Sequence, residues 1–442
     1  MSSRKMAPLS LAFILLGLFH PMPCEQHAGP NSSNSSILPM SADLTHFHEV
    51  FSQEMLRIML EENPESNFVF SPISISTALI LIARGTRSNT FFNLLDALGY
   101  DLKVADPDIV EKFLLGVLQK LNGMQKKKFL RHRNFLFINS HRTIEPAFMK
   151  DMYTYNAKVH KIDFQDTGKA TVDMKEVVPE KIKERFHDII TPVDPKTFML
   201  LVNYIFFRHR NFCNSSHFGS SSSPHFLNEF QKEGSCNGNF HTDITQKETF
   251  FVNKFKSVHV EMMMKTDRMI YSRWDELLAT TVELPYNEHL SLVLVLPDEG
   301  EFSATQSRMD FKRDRLSHHR DTRLVSLMIP KFKVSYKINL RHLLPKLGIK
   351  DMFSTTANFS YITKDVFPVY FEGTHAASIE MNQNNTMTPR DLARDRKKRD
   401  IQERDSIEAT VVKVNRPFFL FVMDCKNETE IMVARVFNPT DE

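Results

Sequence analysis

Cysteine, tryptophan and long apolar runs are all scarce in this chain of 442 residues. Cys24 lies near the N-terminus and only three cysteines follow it, an odd number that excludes a disulfide scaffold, so packing must stabilise the fold. No run of about twenty apolar residues occurs, and we therefore expect no membrane-spanning helix. The net charge is only +3, which predicts no general attraction to nucleic acid or to a membrane.

Enzyme motifs are also missing. The chain contains no G-x-S-x-G, H-E-x-x-H, G-x-G-x-x-G or P-loop pattern, so we expect no catalysis and no cofactor. A low-complexity stretch, 208–239, has the appearance of an insertion, and the alternative is non-coding sequence joined in error. Its cysteines and histidines match no zinc spacing, which predicts no metal and favours a loop disulfide between Cys213 and Cys236.

The N-terminus has the pattern of a secretory signal peptide. Arg4 and Lys5 precede the apolar run from Leu9 to Phe19, which is too short to span a bilayer, and Cys24 is a small residue suited to cleavage. We expect a signal peptide at 1–24, a flexible segment at 25–44 and a secreted, extracellular mature chain. In such a chain the N-x-S/T sequons are candidate glycosylation sites. They lie at Asn31, Asn34, Asn214, Asn358, Asn384 and Asn427.

Apolar patterning predicts both strands and helices. Two apolar runs, Pro417 to Met423 and Ile431 to Phe437, flank a polar turn and predict a hairpin that closes a large core. Ser71-Pro72 starts a predicted buried helix that ends at Gly85. Short apolar runs at 202–207 and 290–296 predict strands covered on both faces, and the leucines of 340–347 predict an amphipathic helix before Gly348. The irregular order of these elements indicates the α+β class.

Several longer motifs resemble those of the serpins, the serine-protease-inhibitor fold family. They are NFVFSPISISTALILIARGT, VNYIFF, ELPYNEHLSLVLVLPDEG, IPKFKVSY, LRHLLPKLGIKDMFS and the terminal NRPFFLF with VARVFNPT. The resemblance covers roughly Phe47 to Pro439 and is strongest to the antitrypsin-like extracellular branch. The stretch DRMIYSRWDELLATTVELPY is similar to the uterine serpins, also called uterine milk proteins. The resemblance implies one serpin domain at 45–442, with a main mixed sheet, two further sheets, surrounding helices and an exposed reactive loop at 386–412.

The resemblance also implies a polar cluster under the main sheet. Short polar side chains there could hold the closed sheet and still release it. The alternative interpretation is that these are four core residues whose hydrogen bonds are satisfied, and it has equal weight. The cluster is structural in either case. The matching positions are Ser71, Ser74, Asn203 and His375. The tryptophan that serpins usually place after V-N-Y-I-F-F is replaced by Asn211 or Phe212, and Trp274 is the only tryptophan in the chain.

The hinge of the reactive loop has two possible positions. Glu372-Gly373-Thr374 has the letters of the family hinge, but the family strand V-H-K-A-x-I-E-V-N-E-E-G-T matches the stretch from His375 to Thr386 in register. We therefore predict the hinge at Gln383-Asn384-Asn385-Thr386.

Four features of the loop oppose its insertion into the main sheet, which protease trapping requires. Two arginines occupy alternate inward positions, and each would cost several kcal/mol in a core. Pro389 cannot donate a ladder hydrogen bond, Asn385 replaces the hinge glycine and Asn384 lies in a sequon. The alternate positions after Thr386 are Thr388, Arg390, Leu392 and Arg394.

The loop nevertheless carries a cleavage motif. Arg399 lies roughly thirteen residues after Thr386, the usual distance from hinge to scissile bond in serpins, and it ends a run that resembles proprotein-convertase sites. A trypsin-like pocket with a carboxylate at its base could also accept this residue. The alternative is a solvated run of mixed charges. The bait candidates are Arg396, Lys397, Lys398, Arg399 and Asp400.

A basic stretch further along the chain suggests a polyanion site. It reads Lys126, Lys127, Lys128, Arg131, His132 and Arg133, close to where heparin-binding serpins gather basic residues. An ordinary charged surface is the favoured alternative. For function we predict a secreted serpin-family glycoprotein with weak or lost trapping that binds or carries a partner in secretions, such as a secreted protein or a heparin-like polyanion. The alternative is an inhibitor of Arg-specific serine proteases.

Overall fold

The computed structural model of the chain describes the serpin-like region but not its N-terminal segment or its long loop. It covers residues 40–442 except 100–111, 113–129, 156, 187, 210–244, 288–289, 310–320, 366–368, 383–408, 425–428 and 442. All of these residues belong to one compact unit, Leu38–Glu442. The predicted signal peptide therefore lies outside the described residues, as does most of the predicted reactive loop.

Helices and strands follow one another irregularly, which confirms the α+β class. The helices are α1 (Met40–Glu62), α2 (Pro72–Gly85), α3 (Ser88–Ala97), α4 (Pro146–Thr154), α5 (Thr167–Val177), α6 (Glu180–Lys183), α7 (Phe302–Arg308) and α8 (Leu340–Leu343). The strands are β1 (Phe68–Phe70), β2 (Leu130–Asn139), β3 (Lys158–Ile162), β4 (Met199–His209), β5 (Thr245–Phe251), β6 (Ser257–Trp274), β7 (Ala279–Asn287), β8 (Leu290–Pro297), β9 (Asp321–Pro330), β10 (Phe332–Asn339), β11 (Phe371–Met381), β12 (Thr410–Lys413), β13 (Phe418–Asp424) and β14 (Thr429–Val436).

The five-stranded sheet has the order β10-β11-β4-β2-β3. Its strands β11 and β4 pair in parallel along the eleven residues of each. On β4 the side chains of Ile205 and Phe207 pack into one core, and those of Val202 and Tyr204 pack into another on the opposite face. The apolar run predicted at 202–207 is therefore a strand covered on both faces, as expected.

The nine-stranded sheet has the order β1-β14-β13-β8-β7-β6-β9-β12, with β5 paired to β6. Because β6 is eighteen residues long and pairs with β5, β9 and β7 in turn, the two further sheets expected from the sequence are joined into one. The predicted C-terminal hairpin is β13 with β14. Both strands are almost entirely buried, which confirms that the hairpin closes a core.

Helix α2 begins and ends where the sequence predicts. The Ser71 hydroxyl caps it by accepting a hydrogen bond from the amide of Ser74 at 3.2 Å, and a proline follows at the first helical position. Gly85 is the last residue of the helix, and a Cβ at that position would lie 2.3 Å from Cγ1 of Ile362. The glycine is therefore required by packing rather than by a left-handed backbone.

The amphipathic segment 340–348 is less regular than the leucine spacing predicts. Its helical portion, α8, ends at Leu343, and turns continue to Gly348, whose φ is +88°. The amide of Ile349 donates to the carbonyl of Leu344 at 2.9 Å and closes the turn. The four leucines are all buried, so the predicted apolar face is present on a shorter helix.

Three element boundaries differ from the segments predicted from the sequence. Strand β4 extends to His209 and takes in the first two residues of the predicted insertion. Strand β12 begins at Thr410, so the last three residues of the predicted loop are strand. Helix α1 begins at Met40, within the segment predicted to be flexible.

Candidate functional site

The four predicted polar residues meet at the junction of α2 with the five-stranded sheet. His375 on β11 and Asn203 on β4 are register partners, and Nδ1 of the histidine lies 2.5 Å from Oδ1 of the asparagine. The amide of Ser71 donates to the histidine Nε2 at 3.1 Å, and the Ser74 hydroxyl donates to Asn203 Oδ1 at 2.9 Å. All four residues are completely buried. The structure thus brings together the cluster predicted from the sequence.

Two further residues, on β2, complete the cluster. The side-chain amide of Asn203 donates to Oδ1 of Asn134 at 2.5 Å and lies 3.4 Å from Nε2 of His132. Asn134 is the register partner of Asn203 on the neighbouring strand. We did not predict either residue as part of the cluster. The signal in the sequence is the H-x-N spacing, which places both side chains on the same face of the strand as Leu130, Leu136 and Ile138.

Both histidines of the cluster are neutral. Burial is the main reason that the pKa of His375 falls to about 3, and the nearby His132 lowers it further. Burial also lowers the pKa of His132, to about 4. Because Nε2 of His375 accepts from an amide, its proton resides on Nδ1 and is donated to Asn203. A second proton on Nε2 would face the Ser71 amide donor, so the arrangement is matched to the neutral ring.

The cluster ties one helix to several strands. Besides its bond to His375, Ser71 donates its hydroxyl hydrogen to the carbonyl of Ile431 on β14 at 2.5 Å. The amino end of α2 is therefore fixed to β11, β4 and β14 at once. Chemically this is a buried hydrogen-bond network with a structural role.

The course of β11 separates the two candidate hinges. Gly373 and Thr374 lie inside the strand, paired with Leu201 and Val202 of β4, and the strand continues to Met381. A Cβ on Gly373 would come within 3.0 Å of Leu340 on α8, so this glycine permits close packing of the helix against the strand. The letters E-G-T at this point therefore belong to a sheet strand. The hinge that we prefer begins two residues after the strand ends.

Most residues of the predicted loop site lie outside the described residues. These are the hinge residues Asn384, Asn385, Thr386 and Pro389 and the bait candidates Arg396, Lys397, Lys398, Arg399 and Asp400. The sequons at Asn31, Asn34, Asn214, Asn384 and Asn427 also lie outside. Asn358 is described: its Oδ1 accepts the amide of Ser360 at 3.1 Å in a half-buried turn.

The basic stretch divides between the surface and the core. On β2, Arg131 is exposed and Arg133 is half-buried, whereas His132 between them is 3% exposed and belongs to the polar cluster. Counting His132 among the surface cations was therefore wrong, because alternate residues of a strand point to opposite faces. Lys126, Lys127 and Lys128 lie outside the described residues.

The described residues contain no candidate metal centre. Among the described residues, no group of three or more histidine, cysteine, aspartate or glutamate side chains is placed to hold a metal ion. Cys213 and Cys236 lie outside those residues. No described helix is long and apolar enough to cross a membrane.

Comparisons with known proteins agree with the geometry. The family model described as "Serpin (serine protease inhibitor)" matches residues 47–216 and 211–439. The chain is 34% identical to uteroferrin-associated basic protein 2 of Sus scrofa, covering 98% of each, and 33% identical to uterine milk protein of Ovis aries, covering all of each. Among solved structures, human thyroxine-binding globulin matches with a TM-score of 0.73 at 23% identity, covering 90% of this chain and 100% of that one. Uncleaved ovalbumin matches with a TM-score of 0.71 at 19% identity, covering 90% and 99%.

Proposed function

Since the chain belongs to the serpin family, we propose that it is a secreted serpin glycoprotein that binds or carries a partner in secretions and has weak or lost protease trapping. Three observations support this proposal: the position of the hinge relative to β11, the composition of the residues that follow the hinge, and the names of its relatives.

The observation that carries the proposal is the end of β11 at Met381. It supports a hinge at 383–386, and the residues that would then enter the seam between β11 and β4 include Pro389 and Arg390. A proline has no backbone N–H to donate to a neighbouring strand, and an unpaired guanidinium in a core costs several kcal/mol. A loop of this composition would not insert quickly enough to trap a protease.

A binding role draws support from the names of relatives. One is named a uterine milk protein and another a uteroferrin-associated basic protein, names that refer to a secretion and to association with another protein. The proposed secretion also rests on the signal-peptide pattern at 1–24. Thyroxine-binding globulin is named for a small ligand, but the likeness to that protein extends to the fold alone.

Inhibition of an Arg-specific serine protease is the second candidate function. It is favoured by the position of Arg399 at the end of four basic residues, roughly thirteen after Thr386. The description of the matching family as serine protease inhibitors supports the same class. We expect instead that a trypsin-like enzyme meets this loop as an ordinary substrate.

Incubation with trypsin followed by denaturing electrophoresis separates the two functions. We expect cleavage after Arg399 or a neighbouring basic residue, with the protease released active, because exposed polar loops are cut readily. A covalent complex that survives denaturation and disappears in the Arg399→Ala variant would establish the inhibitor instead. The Arg341→Ala variant, which changes an arginine outside the loop, is the control for both outcomes.

A heparin-like polyanion is the second kind of partner that we propose. The side chains of Arg131 and Arg133 form no hydrogen bond or ion pair within the described residues, and three lysines precede them in sequence at 126–128. Elution from immobilised heparin at a lower salt concentration in the Arg131→Ser, Arg133→Ser variant than in the parent protein would support this partner. Equal elution would exclude these residues from such a site.

A further inference from the structure

A buried ion cluster crosses the parallel seam at the end of β11. Glu380 on β11 and Arg208 on β4 are register partners, and Nε of the arginine lies 2.7 Å from Oε2 of the glutamate. Arg185, which follows α6, donates to the same oxygen at 2.9 Å. The side chains of Glu380 and Arg185 are only 8% and 12% exposed, so their ion pair is largely withdrawn from water, whereas the side chain of Arg208 is 31% exposed.

Arg185 also contacts both strands by other means. Its guanidinium lies 4.7 Å from the ring centroid of Phe206 on β4, and Nη1 donates to the hydroxyl of Ser378 on β11 at 3.3 Å. The hydroxyl of Ser335 on β10 donates to the same serine at 3.0 Å. One arginine from outside the sheet therefore bridges the two strands, and the cluster connects four separate parts of the fold.

The protonation state of Glu380 suits this role. Its burial by itself would raise the pKa of the carboxyl, but hydrogen bonds from Arg208 and Arg185 lower it below the usual value. The carboxylate is therefore ionised at neutral pH and holds both arginines. Separating β11 from β4 would pull Arg208 away from Glu380 and leave charge without its partner. Separation of the two strands is therefore costly.

We infer that Glu380, Arg208 and Arg185 form a clamp that keeps the seam between β11 and β4 closed at the end where the chain leaves β11. The clamp acts on the sheet and not through the composition of the loop. It would resist entry of any additional strand, including one with small alternating residues. This inference goes beyond the proposed function, because the sheet could be clamped whether or not the loop can insert.

The clamp is tested with a strand supplied from outside. The probe is a synthetic acetylated peptide of alternating alanine and threonine that matches the eleven residues of β11 in length. The full chain is incubated with it, and incorporation is followed by native electrophoresis and mass spectrometry. We expect the parent protein to take up the peptide at least about tenfold more slowly than the Glu380→Gln variant, which keeps the side-chain volume but loses the charge.

Two further variants make the result specific. Arg208→Met removes the more exposed arginine and should also speed uptake of the peptide. It replaces Glu380→Gln in the test if that variant does not fold. Glu372→Gln is the matched control, because it breaks an ion pair on the same strand with Arg341 of α8, at 3.1 Å, that does not reach β4. Equal uptake by the parent and both clamp variants, or equal acceleration by Glu372→Gln, would overturn the inference. Trypsin cleavage without trapping is read separately and is unaffected by either outcome.

Discussion

At His375 an imidazole is enclosed without any contact with water, and each of its ring nitrogens has a protein partner. Nε2 accepts from Ser71 and Nδ1 donates to Asn203, so both capacities of the neutral ring are used. The side-chain amide of Asn203 in turn donates a hydrogen bond to Asn134. Replacing any of these side chains would leave a buried polar group without its partner.

Replacing His375 with alanine should lower the free energy of unfolding by about 1–3 kcal/mol, because the Ser71 amide and Asn203 carboxamide lose a buried partner. Urea unfolding of the parent and variant measures the difference. His259→Ala, which removes an exposed histidine, is the control and should change little. An unchanged midpoint for His375→Ala would contradict the role assigned to the cluster.

The same histidines predict a dependence of stability on pH. Their pKa values are about 3 for His375 and about 4 for His132 in the folded chain, against about 6.5 when unfolded. As the pH falls below about 6.5, the unfolded chain binds protons at these positions and the folded chain does not. Above that pH the free energy of unfolding therefore does not change with the titration of these histidines. It falls towards pH 4 by about 1.4 kcal/mol per pH unit for each histidine.

Urea unfolding at about pH 7 and about pH 5 tests this dependence. The parent protein should be less stable at the lower pH, and the His375→Ala variant should lose less between the two conditions because one of the two groups is missing. Equal losses in the parent and the variant would show that His375 does not titrate as its burial requires.

At the scale of elements, helix α2 is positioned by contacts at both of its ends. Its amino end is fixed by the polar cluster, and its carboxyl end passes so close to Ile362 that only glycine fits at position 85. Helix α8 is positioned in a related way, since Leu340 approaches the backbone of β11 at Gly373. Two glycines therefore set how closely helices lie against their neighbours.

Gly85→Ala should destabilise the protein by about 1–3 kcal/mol, because the new methyl group overlaps the buried Ile362 side chain. Helix propensity alone would predict the opposite sign. Gly168→Ala on α5 is the matched control, since the atom nearest to its new Cβ would be Asp166 Oδ1 at 3.5 Å, and it should stabilise by about 0.4–1 kcal/mol. Thermal or urea unfolding of both variants tests the pair, and a stabilising Gly85→Ala would contradict the close contact.

At the scale of the whole molecule, the two ends of the serpin domain are joined by a buried arginine. Arg435 on β14 is completely buried and donates to the carbonyl of Ser66 at 2.6 Å and to the side chain of Gln306 at 3.1 Å. Burial lowers the pKa of its guanidinium to about 10. The last strand thereby holds the connection between α1 and β1, which explains why the C-terminal signature carries an arginine within the apolar run Ile431 to Phe437.

Cleavage of the loop should leave the thermal stability of the whole molecule unchanged. In serpins that insert the cut loop, an added strand stabilises the main sheet, but here Pro389 and Arg390 oppose insertion. Differential scanning calorimetry before and after limited trypsin treatment measures the effect, with the cleavage position confirmed by mass spectrometry. A large rise in the melting temperature after cleavage would show that the loop does enter the sheet.

Local sequence was enough to predict the α+β class, the C-terminal hairpin and the extent of α2. Short motifs identified the family, and the resemblance to that family supplied the four central members of the polar cluster. These depend on apolar periodicity, capping residues and motifs that are complete within short stretches of chain. The three-dimensional arrangement was needed to show that His132 lies in the core, that β6 joins two sheets, that Arg435 is buried and that Glu380 meets Arg208 and Arg185. The partners of Glu380 lie 172 and 195 positions away in the chain. Whether a polar side chain is buried and paired depends on such distant residues, and no local pattern specifies them.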